Sequence, residues 1–177
     1  MLTPWSGPSV YDHAMRKGDI ASLFEHMYWV NKRLLEAAAE LPPAALTSAS
    51  PATVRDLRAT LVHELDVEWS WRLNLQGRLT DDLDDLRPED HPSVESIRER
   101  WQLDEMEMRA WLEALTDDEL AAEVDSGLSG DRRPLWQYLM HIVIHAAQQQ
   151  SDAATLLTLA GQSPGELGYG EFLRATT

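Results

Sequence analysis

The chain contains no cysteine. That rules out disulfides, thiolate metal ligands and a thiol nucleophile of its own. Positive charge is also scarce: 15 Lys and Arg face 30 Asp and Glu, a formal net charge of −15 over 177 residues. Such a chain is repelled by phosphate backbones and anionic lipid, so neither nucleic acid nor a membrane surface is an expected partner. No apolar run approaches the roughly 18 residues that mark a membrane-crossing helix. The opening stretch MLTPWSGPSVYDHAMRKGD lacks the basic start and apolar core of a secretory leader. A cytoplasmic location is therefore expected. Alternation with period two, the mark of a half-buried strand, is missing as well.

Helical periodicity is abundant. The length suits one domain over 1–177, with 1–17 as an N-terminal extension and four helices after it. The first is expected over about 19–41, where Ile20, Phe24, Met27, Asn31, Leu34 and Ala38 recur at three- and four-residue steps before Pro42-Pro43. The second covers about 53–76, with Thr53 as cap, Asp56 placed like the acid of a capping box, and Gly77 as its end. The third spans about 93–115 from Ser93, and LTDDEL adds a short capped turn. The fourth covers about 133–160, with Pro134 in its first turn and Gly161 after it. This pattern predicts an all-α protein, an antiparallel four-helix bundle. The acidic stretch DDLDDLRPEDHP, 81–92, lacks the spacing and glycine of a calcium loop and reads as a solvated connection.

The stretch HIVIHAAQQQSDAATLL, 141–157, places two histidines four residues apart. On a wheel of about 100° per residue, Leu135, Leu139, Ile142, Ala146, Ala153 and Leu157 fill the core arc. His145 and Gln149 border that arc, His141 lies further out, and Asp152 sits beside His145. On the second helix His63 shares a stripe with Thr60, Val67, Trp71 and Asn74. The main apolar stripe there, Val54, Leu57, Leu61, Leu65 and Trp69, points largely elsewhere. Glu64 and Glu68 are expected to be solvated or salt-bridged. Most of the seven tryptophans read as core or interface packing, Trp71 as a pocket wall, and His26 as a boundary histidine. HELDV carries Val67 where a zinc-protease helix needs its second histidine, and no Glu-x-x-His tetrad of a di-iron bundle occurs. A mononuclear site remains: one histidine from the second helix and an i, i+4 pair from the fourth.

At these residues the chain resembles the DinB-like (YfiT-related) family of bacterial four-helix bundles. LFEHMYWVNKRLLEAAAELPPAAL resembles the family's first helix, with Trp29 and Asn31 in its Trp-x-Asn. TVRDLRATLVHELDVEWSWRLNLQG resembles the second, with His63 in place, and PLWQYLMHIVIHAAQQQSDAATLLTLAG the fourth. The resemblance implies a divalent metal, zinc or nickel, on three histidines, one from the second helix and two from the fourth. His63 and His145 match the first two ligand positions. Where the family continues with His-Arg-Gly-Gln, this chain has Gln149, Gln150, Ser151 and Asp152, so the third ligand position is an amide. Three arrangements stay open: Gln149 ligates, His141 substitutes, or the site is metal-free and His63, His145 and Gln149 are joined by hydrogen bonds or water. Asp152, Trp71, Thr60 and Asn31 are the expected surrounding residues. The resemblance further implies a transferase that joins a low-molecular-weight thiol, such as mycothiol or bacillithiol, to a small-molecule electrophile in a stress response. The competing expectation is a non-catalytic bundle that binds a small ligand or a partner protein. A homodimer through exposed helix faces is compatible with either.

Overall fold

Apolar residues at helical spacing build α1, Lys17–Ala39, which buries Ile20, Phe24, Met27, Leu34 and Ala38 as its periodicity predicts. The computed structural model describes residues 15–80, 83–126 and 132–176. The expected N-terminal extension up to residue 14, with His13, and residues 81–82 of the acidic stretch lie outside the described residues. α2, Leu57–Leu75, starts later than its expected cap. Asp56 is the N-cap, its Oδ1 accepting from Ala59 N at 2.8 Å, while the Thr53 hydroxyl donates to Arg55 O. Aspartate caps as well as threonine does, and Asp56 abuts the apolar stripe directly. At its other end Gly77 takes φ +65°, and Arg78 N reaches back to Leu73 O, a left-handed turn that releases the helix where expected.

α3, Val94–Ala114, is capped by Ser93, the residue at which it was expected to start, and the short α4, Asp117–Ala121, lies in the expected capped turn, with Thr116 and Glu119 as its capping pair. Two features were not legible. β1, Glu123–Asp125, pairs antiparallel with β2, Arg132–Pro134, with Val124 opposite Arg133. Strands of three residues are too short to show an alternation. α5, Leu135–Leu159, follows β2 directly, so Pro134 stands at the N-cap and not within the first turn. The last element, α6, Tyr169–Ala175, packs on α1. The fold is all-α apart from the small hairpin, and no helix among the described residues is long and apolar enough to cross a membrane.

α5 packs against α1 and α2, and α3 packs against the same two helices. The core divides into two clusters. One gathers Leu34, Leu61, Leu65, Ile97 and Leu157; the other gathers Phe24, Met27, Met108, Leu139 and Ile142. Along the helices Asn31, Glu68, Asp104 and Gln150 fall between members of the two clusters, and all four are buried. A polar layer thus crosses the interior where the clusters meet. This corrects the expectation for Glu64 and Glu68, each only 1% exposed and neither in an ion pair among the described residues. The expectation assigned α2 a single apolar face. Its neighbours cover more of its circumference, and the Glu64–Glu68–Arg72 stripe faces inward. Val54, counted in the apolar stripe, lies before α2 and is exposed.

Candidate functional site

The contact of α2 with α5 brings the two predicted imidazoles together. The His63 and His145 rings meet edge to face, with centroids 5.1 Å apart and planes at 78°. Burial lowers the pKa of His63, helped by the positive charge of Arg55. Burial, then the neighbouring His63, His141 and Arg55, pushes His145 down to about 4. Both rings are therefore neutral at pH 7, the form in which imidazole ligates a metal or accepts a proton.

One turn beyond His145, Gln149 is buried and its Oε1 has no hydrogen-bond partner. A buried oxygen without a donor costs free energy, so this atom calls for a cation, a water or a ligand. His141 is exposed. Its ring lies 4.9 Å from that of Trp71, which stacks on Tyr138 at 5.6 Å, and 6.4 Å from that of His145. Tyr138, Trp71, His141, His145 and His63 thus form a continuous file of rings across the α2/α5 seam. Thr60 is buried but its hydroxyl is engaged, donating to Asp56 O at 2.8 Å. Asp152 is half-buried on the same helix as His145.

Asn31 is placed elsewhere, in the polar layer. Gln150 Nε2 donates to Asn31 Oδ1 at 2.7 Å and to Glu64 Oε1 at 3.0 Å, and lies 3.2 Å from Met27 O. Glu64 is held well above the usual carboxylate range by burial and the nearby charge of Glu68, against the pull of Gln150 and Asn31. Glu68 accepts from Tyr28 Oη and from Trp101 Nε1, the latter at 3.0 Å. Burial and the charge of Asp104 push its pKa up to about 8. Arg72 is committed to Asp104 and, at 3.3 Å, to Glu107. The sequence reading missed Gln150 and this layer; the signal was present in the run QQQ, which a strictly amphipathic helix cannot keep wholly outside.

The donor set can be tested against a metal. With a zinc–nitrogen bond of roughly 2.0–2.1 Å and a ring nitrogen about 1.1 Å from its centroid, two imidazoles on one tetrahedral ion have centroids about 5.2 Å apart. His63 and His145 match that separation. The same bond lengths put centroids about 6.4 Å apart only when the two nitrogens are on opposite sides of the ion. His141 and His145 show that spacing, which is unsuited to a tetrahedral set. Among the described residues no three His, Asp or Glu side chains gather as a metal-holding group. The two imidazoles fit a tetrahedral ion by their separation, and the Gln149 amide oxygen stands one turn beyond His145 on α5.

The fold is all-α apart from one short hairpin, with two imidazoles meeting edge to face across the α2/α5 seam. The chain belongs to the DinB family, whose profile matches residues 12–177. A crystal structure of a DinB-like protein from Bacillus cereus ATCC 10987 is similar at TM-score 0.66 and 15% identity, covering 87% of this chain and 99% of that one. A conserved protein from Enterococcus faecalis is similar at TM-score 0.56 and 16% identity, covering 83% and 98%. At these identities the likeness concerns the fold. Among curated proteins none matches the chain.

Proposed function

We propose that the chain is a single-domain antiparallel four-helix bundle carrying a mononuclear divalent metal site on its α2/α5 seam. His63, His145 and the Gln149 amide oxygen hold the ion, zinc or nickel, and the protein joins a low-molecular-weight thiol to a small electrophile. The observation that carries this reading is the pair of neutral rings 5.1 Å apart, with a buried amide oxygen that lacks a donor one turn further along α5. Gln149 is a weaker donor than imidazole for a borderline-soft ion, so the site is looser than a three-histidine one.

When bound, the ion supplies Lewis acidity that lowers the pKa of a coordinated thiol or water. The chain supplies the rest. His63 and His145 are kept unprotonated by burial. Trp71, stacked on Tyr138, forms a flat wall beside His141 against which an electrophile can lie. Asp152, half-buried two turns after His145 on α5, is the carboxylate we assign to orienting an imidazole.

The test is a conjugation assay with a bacterial low-molecular-weight thiol and 1-chloro-2,4-dinitrobenzene, in which sulfur displaces chloride and the thiol proton passes to buffer. The expected result is a rate that rises with added zinc or nickel and disappears in His145→Ala. A rate equal to the uncatalysed one at every metal concentration contradicts the enzyme. A second reading, a metal-free scaffold binding a small ligand, is favoured by the amide at position 149 itself, and predicts no stoichiometric metal.

A further inference from the structure

The file of rings on the α2/α5 seam has two unlike ends. At one end Trp71 stacks on Tyr138 and meets His141, and further along His63 meets His145. Toward the start of α2, the stripe of His63 continues through Thr60, whose hydroxyl donates to Asp56 O at 2.8 Å. The stripe thereby reaches Arg55 and Asp56, the pair that opens the helix. The turn there is fixed. The Thr53 hydroxyl donates to Arg55 O at 2.8 Å, and Asp56 Oδ1 accepts from Ala59 N at 2.8 Å. Arg55 is exposed at that end of the seam. An aromatic wall therefore bounds the ring pair on one side and a guanidinium on the other.

Arg55 is also uncommitted. The chain has twice as many acidic as basic side chains, and Arg72, Arg78, Arg98, Arg109 and Arg174 are each paired with a carboxylate. Among the described residues Arg55 has no ion pair, although its neighbour Asp56 is acidic; that carboxylate is occupied in capping α2. The charge of Arg55 nevertheless reaches both rings. It opposes protonation of His63 and of His145, and no other Lys or Arg acts on either. The rise along α2 from Asp56 to His63 is about 10 Å. An arginine side chain and a molecule the size of acetylcysteine together span that interval. Arginine suits the task, because its planar fork can take a carboxylate through two parallel N–H bonds.

We propose that the thiol this seam takes bears a carboxylate, held by Arg55 while the sulfur lies at His63 and His145 and the electrophile at Trp71. The assignment rests on the metal-and-thiol reading of the same rings, and it makes Arg55 the residue that selects an anionic thiol over a neutral one. The test compares N-acetylcysteine with its neutral amide. Each is titrated into the zinc-loaded chain and followed by the ring C–H resonances of His63 and His145. N-acetylcysteine is expected to bind about three- to fivefold more tightly, the gain an exposed ion pair supplies. Arg55→Gln should abolish that preference by weakening N-acetylcysteine alone, and Arg55→Lys should restore part of it. Added salt should shrink it in the parent. The Arg55 side chain is exposed and makes no hydrogen bond among the described residues. Arg55→Gln is therefore expected to melt like the parent and to hold zinc no more weakly, since one cation repels another. Equal binding of the two probes in the parent, or a preference that survives in Arg55→Gln, overturns the proposal and leaves the metal-and-thiol reading standing. Zinc binding without a response to either thiol, or no zinc binding at all, overturns both.

Discussion

At the scale of single residues, the ring spacings decide which side chain completes the histidine pair. His141 faces Trp71, and its distance from His145 fits only a linear arrangement about an ion. His141→Ala is therefore expected to leave zinc affinity within about twofold, whereas Gln149→His should tighten it at least about tenfold by restoring an imidazole. Competition with a chromogenic chelator measures both, and a larger loss in His141→Ala than in His145→Ala would reverse the assignment. His63 and His145 were legible in the sequence because each sits at the margin of an apolar arc. Gln150, Glu64 and Glu68 were not, because a helical wheel gives the direction of a side chain and says nothing of how many neighbours cover that direction.

At the scale of elements, capping residues were legible in kind and less so in position. The third helix starts at Ser93 and LTDDEL forms a capped turn, both as expected, while on α2 the capping role passes from Thr53 to Asp56. Asp56→Ala should destabilise the protein by about 1 kcal/mol, and Thr53→Ala by no more than a few tenths. Urea unfolding measures the difference, and equal losses would contradict the corrected boundary. The hairpin of β1 and β2 and the short α6 escaped notice for a common reason. Neither is long enough for a repeat to show, and each is held by its contact with a longer helix.

At the scale of the whole molecule, the all-α class follows from the long periodic segments and was readable in full. The polar layer across the core was not, since it needs four helices in register before its members meet. It has a measurable consequence. Glu68, folded at about 8 against roughly 4.3 unfolded, keeps a proton that the unfolded chain releases. Its stabilising term is complete below the unfolded value and is lost as pH rises through the folded one. His145, folded at about 4 against roughly 6.5 unfolded, acts in the opposite sense, but only below the latter value. In chelator, the melting temperature should therefore fall between about pH 6.5 and 8, and Glu68→Gln should flatten that fall. A melting temperature that rises through this interval contradicts the protonated layer.

The central claim is that rings from two helices share one ion. Calorimetric titration of zinc into the chelator-treated chain and into its His63→Ala variant tests it most directly. The account predicts saturation at about one equivalent in the parent chain and none in the variant, consistent with one mononuclear site. Saturation that survives in His63→Ala, or its absence from the parent, contradicts it.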